Sequence, residues 1–591
     1  MTYRAPLADI RFALKHGTLL ETALKEGFFG DISFEDVDAI LVEAGRMADD
    51  VIAPLNPVGD SIGATFKDGV VTTAPGWKAA YTAWRKAGWN GLAAPAEWGG
   101  QGLPRVVNAA CTEMWNSASM AFGVCTLLTM GAIDALAAHG SDELKRRYLG
   151  KLVSGEWTGT MLLTEPHAGS DVGALRTRAE RVADGSYRIA GQKMFITYGE
   201  HDLTDNIIHL VLARLPDAPP GTRGISLFLV PKFMPDVAGS PGARNDVRAH
   251  SIEHKLGMHA SPTCTIILGD QGGATGFLVG DENAGMACMF TMMNHARLDV
   301  GLQGVGVAER ATQQALSYAR ERRQGSRVGR PTTETVPIIA HPGVHRMLMT
   351  MHALTQAARA ICYETAMALD VAERISDKTA RQAAYARASL LTPVAKAFST
   401  DIGVEVASLG VEVHGGVGYV EETGAAQHVR DAWLGAIYEG TNGIQAIDLV
   451  TRKAPLAGGA LIGKHIDELS RIVDAVSATN EAAFGCSAAR LAESVESLRR
   501  VTRWVLARLE QNTDAALAGA AQYLRLFGVA TGGCYLARQA LTAPRHNTET
   551  EHRTALARFF AENISVEAAT LERVVVDGAA SVVDTGTMFA H

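Results

Sequence analysis

The sequence predicts a mainly α-helical protein with a small β-domain in its middle. Residues 33–50 and 77–87 carry apolar residues at helical spacing. Between about Trp157 and Val279, short β-branched or alternating runs are separated by turn residues. Helical spacing returns at Gly285 and continues toward the C-terminus. We expect four domains, at residues 1–155 (helical), 156–285 (β), 286–455 (helical bundle) and 456–591 (an additional helical block).

The predicted elements are bounded by ordinary start and stop signals. Ser33 followed by Asp36 is typical of a helix N-terminus, and Gly88 ends the second helix. Further helices of the first domain are predicted at 106–115, 120–136 and 143–153. Strands are predicted at 186–197, 206–214, 224–231, 264–268 and 275–279. Later helices are predicted at 289–323, 344–373, 378–411 and 443–452, with one ending near Gln511 and two more at 516–540 and 551–576.

Charge, hydropathy and cysteine content argue against several classes of protein. The 591 residues carry a formal net charge of −8 without a block of like charges, which argues against nucleic-acid binding. No apolar stretch reaches the length of about eighteen residues that a membrane span needs. The seven cysteines are scattered, which indicates reduced thiols and a cytoplasmic protein. The histidines lack metal-ligand spacing, so no metal site is predicted.

A carboxylate in the segment Tyr438–Ile444 is the candidate catalytic base. Glu439 lies in a turn that follows the apolar run 432–437 and precedes a helix N-terminus, which Asn442 and Gln445 indicate. A carboxylate in such a turn is partly desolvated, and desolvation raises its pKa toward a value useful to a general base. The alternative is a solvated glutamate that merely flanks the helix cap.

Two further segments carry groups that suit a flat, polar cofactor. Segment 163–173 offers hydroxyl and backbone N–H donors to a ring edge or a phosphate. In segment 191–197, Phe195 and Thr197 are two residues apart on a predicted strand and therefore share a face. That face could stack on a cofactor ring and hydrogen-bond its edge. Each segment alone is also compatible with an ordinary strand and turn.

Taken together with Glu439, these segments resemble the flavin-dependent acyl-CoA dehydrogenases. Two more motifs agree in content and order, Gly415 to Tyr419 and Arg430-Asp431. The resemblance runs from about Ser33 to Arg452 and implies the family's helical domain, β-barrel and four-helix bundle. The block after Pro455 resembles the long branch that includes 3-methylmercaptopropionyl-CoA dehydrogenases and broad-range fatty acyl-CoA dehydrogenases.

The resemblance implies FAD as cofactor and roles for individual residues. Glu439 would be the catalytic base. Thr164 and Thr197 would hydrogen-bond the flavin, and Phe195 would cover its ring at a position where the family usually has Trp. The remaining implied contacts are Ser170 at the pyrophosphate and CoA, Arg322 at the FAD of a neighbouring subunit, Gly415 and Gly416 at the FAD diphosphate, Thr441 near the adenine, and Asn294 and Arg297 at CoA. Arg297 is also compatible with a surface ion pair.

The implied reaction is the α,β-dehydrogenation of an acyl-CoA to a trans-2-enoyl-CoA. Glu439 would remove the α-proton as the β-hydride passes to flavin N5, and electron-transfer flavoprotein would accept the electrons. The implied substrates are 3-methylmercaptopropionyl-CoA or a fatty acyl-CoA, and the implied assembly is a homo-oligomer, with a dimer favoured over a tetramer.

Three alternatives stay open at this point. An acyl-CoA oxidase would share the fold and the base but use O2. A flavin-binding relative in the DNA-damage response would bind nucleic acid, which the net charge disfavours. A paralogue without catalysis would not need Glu439.

Overall fold

The chain follows the predicted order of helices, β-barrel and helices in a computed structural model, which describes residues 3–329, 334–544, 547–584 and 588. The first block also contains a short antiparallel hairpin, β1 and β2, that the sequence analysis did not predict. Its elements are α1 (Leu7–Phe12), α2 (Leu20–Lys25), α3 (Phe34–Arg46), α4 (Leu55–Ile62), β1 (Thr65–Lys67), β2 (Val70–Thr72), α5 (Trp77–Lys86), α6 (Arg105–Ala118), α7 (Met120–His139), α8 (Asp142–Leu144) and α9 (Gly150–Val153).

The start of α3 confirms the predicted helix signal. Ser33 Oγ accepts a hydrogen bond from the Asp36 N–H at 3.2 Å, and the Asp36 carboxylate accepts one from the Ser33 N–H at 2.9 Å. This reciprocal pair satisfies backbone donors that a helix start leaves free.

Helix α7 joins the first helical block to the sheet. By length and composition it could cross a membrane, but 83% of its most apolar stretch is buried inside the fold. It packs against β3 and against the long helix α10 described below. A core helix of a folded domain has these properties, so its composition reflects burial on all sides.

The β-domain closes into a small barrel. Its strands are β3 (Thr158–Leu162), β4 (Arg178–Arg181), β5 (Tyr187–Thr197), β6 (Ile207–Arg214), β7 (Ile225–Pro231), β8 (Phe233–Pro235), β9 (Pro241–Arg244), β10 (Val247–Ile252), β11 (Thr263–Leu268) and β12 (Ala274–Val279). Neighbours run in the order β10-β11-β5-β12-β7-β6-β3, and β4 pairs with both β5 and β6. Strand β4 therefore closes a ring of β5, β12, β7, β6 and β4. The pairs are antiparallel as predicted, except that β3 and β4 are parallel to β6.

Two parallel helices in close contact form the centre of the next block. Its helices are α10 (Gly285–Glu321), α11 (Pro342–Arg374), α12 (Lys378–His414), α13 (Ala425–Ile437) and α14 (Asn442–Asp448). Helix α10 meets α12 at Gly301 and Gly304, where a Cβ at Gly304 would lie 2.3 Å from the Ser399 carbonyl oxygen. The absence of side chains at these glycines lets the two backbones approach, and this fixes α12 relative to α10.

The C-terminal block packs directly on the bundle. Helix α18 lies against α11, α12 and α14, and its apolar residues belong to the same hydrophobic core as theirs. The block contains α15 (Ala460–Thr479), α16 (Ser487–Gln511), α17 (Thr513–Ala518), α18 (Ala520–Thr542), α19 (Thr548–Asn563), α20 (Ala568–Val576) and α21 (Ala579–Val583).

Two helices predicted in this block as continuous are each broken. Residues 516–540 divide at Gly519, where a helix is weakened by the missing side chain. Residues 551–576 divide after Asn563, whose side-chain amide donates to the Phe559 carbonyl oxygen at 3.0 Å. Such side-chain bonds compete with the helical backbone ladder.

The contact between α12 and α18 predicts that Gly528 tolerates no side chain. A Cβ at Gly528 would lie 2.3 Å from Cδ2 of Phe398. Overpacking costs roughly 1–3 kcal/mol, so we expect Gly528→Ala to lower the Tm measured by scanning calorimetry. Gly463→Ala is the matched control, because a Cβ there would meet nothing within 4 Å and should raise helix stability. An unchanged Tm in Gly528→Ala would contradict this packing.

Candidate active site

Glu439 lies in a strained turn between α13 and α14. Its φ is +55°, and that of the next residue, Gly440, is +85°. The left-handed conformation costs a residue with a side chain about 1–2 kcal/mol, whereas glycine adopts it freely. Such a conformation persists only where the surrounding structure holds it.

One side of the turn is anchored on the corner between α6 and α7. The Tyr438 hydroxyl donates to Oε1 of the buried Gln303 on α10. Gln303 in turn donates through Nε2 to Oδ1 of Asn116, at 3.2 Å, near the end of α6. This chain of hydrogen bonds fixes the residue before Glu439 against two helices.

The other side of the turn is anchored on α12. Nζ of Lys396 donates to the Gly440 carbonyl oxygen and to Oδ1 of Asn442, each at 2.8 Å. Thr441 is the cap of α14, because its Oγ1 accepts from the Ile444 N–H at 3.2 Å. The prediction of a helix start here is confirmed, but the cap is Thr441, and Asn442 is the first residue of the helix.

The environment of Glu439 suits a general base. Burial raises the pKa of Glu439 to about 7, while the positive charges of Arg297 and Lys396 act to lower it. Arg297 is buried, so its interpretation as a surface ion pair is wrong. Its Nη2 lies 3.9 Å from the place where a Cβ on Gly440 would stand, so the guanidinium faces the turn. Asn294 lies one turn earlier on α10 and is half-buried.

A buried ion pair joins the two segments predicted to hold the flavin. Glu165 accepts from Nζ of Lys193 at 2.8 Å and from the Arg176 N–H at 2.7 Å. Although burial opposes it, the ammonium of Lys193 lowers the pKa of Glu165 to about 2. The Thr164 carbonyl oxygen also accepts from the Met194 N–H at 2.9 Å. Segment 163–173 therefore lies directly beside β5.

Phe195 occupies a bulge in β5 instead of a regular strand position. The register with β11 shifts between Cys264 and Ile266, and Phe195 has a φ of +59°. The ring is 56% exposed, whereas Ile196 is buried and Thr197 is half-buried. Bulges of this kind re-aim a side chain, and here an aromatic ring is left uncovered at the barrel surface.

The end of β5 and the turn of Glu439 both make hydrogen bonds to the corner between α6 and α7. Tyr198, next to Thr197, donates through its hydroxyl to the Ala121 carbonyl oxygen at 2.8 Å, at the start of α7. The turn of Glu439 is tied to Asn116, five residues earlier on α6. Tyr198 and Tyr438, which neighbour Thr197 and Glu439 in sequence, are thus both tied to the corner between α6 and α7. Ser170 is exposed on segment 163–173.

Arg322, Gly415 and Gly416 lie away from the turn of Glu439, at the C-terminal ends of α10 and α12. A stack of Tyr318 on His414, with ring centroids 4.5 Å apart, brings the C-terminal ends of α10 and α12 together. From Lys396 to Gly415 is 19 residues, which corresponds to about 28 Å of helix. Gly415 has a φ of +66°, and a Cβ on it or on Gly416 would meet nothing within 4 Å. These residues do not reach Glu439 within one subunit.

Lys396, Gln303 and Lys193 were not identified from the sequence. Lys396 has a weak signal, a single charged residue within the apolar stretch from Val394 to Phe398 of a helix. No sequence signal identifies Gln303 or Lys193, because their hydrogen-bond partners lie 135 and 28 residues away along the chain.

Comparison with known proteins matches most of the chain to the domains of one protein family. The sequence profiles of the acyl-CoA dehydrogenase N-terminal, middle and C-terminal domains match residues 42–156, 160–271 and 283–454. A profile described as acetyl-CoA dehydrogenase C-terminal like matches residues 465–585.

Individual relatives match over nearly their full length. The chain is 46% identical to 3-methylmercaptopropionyl-CoA dehydrogenase of Ruegeria pomeroyi, over 96% of this chain and 97% of that protein. It is 33% identical to the broad-specificity linear acyl-CoA dehydrogenase FadE5 of Mycobacterium tuberculosis, over 95% of each. The solved acyl-CoA dehydrogenase of Bacillus anthracis complexed with FAD is 20% identical and shares the fold, with a TM-score of 0.75 over 93% of this chain and 89% of that one. The chain belongs to the acyl-CoA dehydrogenase family.

Proposed function

We propose that this chain is an FAD-dependent acyl-CoA dehydrogenase in which Glu439 removes the α-proton of an acyl-CoA, giving a trans-2-enoyl-CoA. The observation that carries the proposal is the desolvated Glu439 carboxylate, whose pKa is raised to about 7. A base with a pKa near the working pH is both deprotonated in large part and strongly attracted to a proton. An α-proton beside a thioester is a weak acid, so its removal needs such a base.

The reaction also requires that the negative charge on the thioester oxygen be stabilised, and the backbone of the same turn offers a group for this. Among the described residues, none accepts a hydrogen bond from the Glu439 N–H. This N–H is available to donate to the thioester carbonyl oxygen, where negative charge develops as the proton leaves. The same residue thus offers a base and a donor to one substrate.

The residues at the barrel surface fit an isoalloxazine ring. In the described part of the chain, the hydroxyls of Thr164 and Thr197 have no hydrogen-bond partner, and the Phe195 ring is uncovered. A flavin edge satisfies such hydroxyls, and a flat ring covers such a phenyl group. FAD is the cofactor of the family, and when bound it supplies the acceptor for the β-hydride at flavin N5.

The predicted FAD contacts that lie far from Glu439, at Arg322, Gly415 and Gly416, support a homo-oligomer. Gly415 and Gly416 leave open space for a diphosphate, and Arg322 is an exposed cation at the same end of the bundle. Because these residues lie about 28 Å of helix from the turn of Glu439, we infer that they contact FAD in a second copy. We favour a homodimer over a tetramer. Thr441, whose hydroxyl caps α14, is the proposed contact to the adenine end of FAD.

The substrate we propose is 3-methylmercaptopropionyl-CoA, with linear fatty acyl-CoAs as the second candidate. The first choice is supported by the 46% identity to the Ruegeria pomeroyi enzyme over nearly the whole chain. Asn294, Arg297 and Ser170 are the proposed CoA contacts. We further propose electron-transfer flavoprotein as the electron acceptor and the cytoplasm as the location, where the seven free cysteines would stay reduced.

The direct test is product analysis with a panel of acyl-CoAs. The purified holoenzyme is supplied with each acyl-CoA and an artificial electron acceptor, and products are identified by mass spectrometry. A product two hydrogen atoms lighter supports the proposal and identifies the substrate. Rapid hydrogen peroxide formation without the acceptor would indicate the oxidase instead. No reaction with any acyl-CoA would contradict the proposed function.

Replacing the carboxylate of Glu439 should nearly abolish turnover. We expect Glu439→Gln to keep its flavin spectrum and lose roughly 10²–10⁴-fold in kcat, because the amide cannot accept the α-proton. Glu422→Gln, at an exposed glutamate, is the control and should retain activity. Retention of most activity by Glu439→Gln would show that another group is the base.

The raised pKa of Glu439 predicts a pH dependence of kcat/KM. The carboxylate is the active form, so kcat/KM should be maximal above the pKa of about 7 and fall tenfold per unit below it. Steady-state rates between pH 5 and 9 measure this limb. A limb at the ordinary glutamate pKa, near 4.3, would contradict the desolvation.

Breaking the buried pair of Glu165 and Lys193 should weaken FAD binding. Glu165→Gln leaves the fully buried Lys193 ammonium without its counter-charge, which costs roughly 3–5 kcal/mol. The segments that carry Thr164 and Phe195 should then separate, lowering the FAD content after gel filtration. Glu180→Gln, at an exposed glutamate on β4, is the control. Full FAD retention in Glu165→Gln would contradict the role of this pair.

A further inference from the structure

A buried lysine contacts the turn that carries the proposed base. Lys396 lies in α12 between apolar neighbours, and its side chain is fully buried. Its ammonium donates to the Gly440 carbonyl oxygen and to Asn442 Oδ1, each at 2.8 Å. Removal of a charged group from water is costly unless it is compensated. The bonds of this lysine are made to the residues that follow Glu439.

The partner of Lys396 is itself held in one orientation. Nδ2 of Asn442 donates to Oδ1 of Asp401 at 2.7 Å and to Oγ1 of Thr400 at 3.0 Å. The Thr400 hydroxyl donates in turn to the Lys396 carbonyl oxygen at 2.9 Å. Asn442 therefore cannot rotate without losing several bonds. The Lys396 ammonium therefore bonds to the left-handed turn within a network of hydrogen bonds that is anchored on α12.

Charged groups from several elements surround Glu439. The positive charges that act on it are Arg297 from α10 and Lys396 from α12, and both oppose the burial that raises its pKa. Burial also lowers the pKa of Lys396 to about 7, an effect that ionised Glu439 and Asp401 counteract. The groups that act on Arg297 are Asp448 on α14, Glu439 and Arg452.

We propose that Lys396 is a positioning residue for the dehydrogenation, which holds the turn of Glu439 through Gly440 and Asn442 and favours the ionised carboxylate through its charge. This inference rests on the proposed function of Glu439 as the base. Arg297 contributes charge from the opposite helix, but the hydrogen bonds to the turn come from Lys396. Lys396 thus supplies both the hydrogen bonds that hold the turn and a positive charge that acts on Glu439.

Three variants separate the two effects of Lys396. Lys396→Met removes the charge and the donor, whereas Lys396→Gln removes the charge and keeps a donor. Asn442→Ala keeps the charge and removes one acceptor. The readout is the protonation state of Glu439 in the holoenzyme. It is monitored by infrared spectroscopy during a pH titration of protein that contains carboxyl-labelled glutamate. The Glu439 band is identified by its absence in Glu439→Gln.

The expected results differ between the variants. The carboxyl pKa of Glu439 should rise by about one unit or more in Lys396→Met and Lys396→Gln, because a nearby opposite charge favours the ionised form. It should stay unchanged in Asn442→Ala. At a pH above the raised pKa, kcat should recover in Lys396→Gln but stay at least several-fold low in Lys396→Met. Lys255→Met, at a half-buried lysine in the β-domain, is the control and should change neither quantity.

The proposal is overturned if the Glu439 band titrates at the same pH in wild type and both Lys396 variants. If Lys396→Met fails to fold, Lys396→Gln alone decides the effect of the charge. The infrared titration requires no substrate, so its result is independent of product analysis. Failure of wild type to form an enoyl-CoA would refute the proposed function, whereas an unchanged titration would refute only the role of Lys396.

Discussion

The site depends on the anchoring of one left-handed turn between helices that come from distant parts of the chain. Glycine would adopt the backbone of residue 439 without strain, but it would lack the carboxylate of the proposed base. The fold therefore holds a glutamate where glycine is favoured, with φ at +55°. Tyr438 is fixed by Gln303 on α10, and Gly440 is fixed by Lys396 on α12. The close packing of α10 on α12 at Gly301 and Gly304 keeps these two anchors in register.

Burial and charge oppose each other at Glu439, and their balance sets its chemistry. Burial alone would hold the carboxyl protonated at neutral pH, and the surrounding cations alone would make it a weak base. Arg297 and Lys396 together bring the pKa to about 7, between these limits. The same opposition appears at Glu165, but there a direct bond from Lys193 outweighs burial, and the carboxylate stays ionised. One buried glutamate is thus suited to proton transfer and the other to structural support.

Local signals predicted much of the fold, while contacts between distant residues were not predictable. The cap at Ser33, the strands β5, β6, β7, β11 and β12 and the turn of Glu439 are each encoded in a few neighbouring residues. The other strands of the β-domain, including the β4 that closes the barrel, were not predicted. Helix α19 ends at Asn563, whose amide donates to the Phe559 carbonyl oxygen, whereas periodicity predicts a continuous helix there. Lys396 and Gln303 entered the site only through folding, because their partners are 44 and 135 residues away. The bulge that exposes Phe195 depends on the register between β5 and β11, which pattern alone does not specify.

In the proposed reaction, Glu439 takes a proton from the α-carbon of an acyl-CoA while the flavin is reduced. The most direct measurement is single-turnover flavin reduction in a stopped-flow instrument under anaerobic conditions, with an α-deuterated and an unlabelled acyl-CoA compared in wild type. We expect both substrates to bleach the flavin, and we expect deuterium at the α-carbon to slow bleaching several-fold. Flavin that stays oxidised with every acyl-CoA, or bleaching at the same rate with saturating labelled and unlabelled substrate, would contradict the proposed reaction.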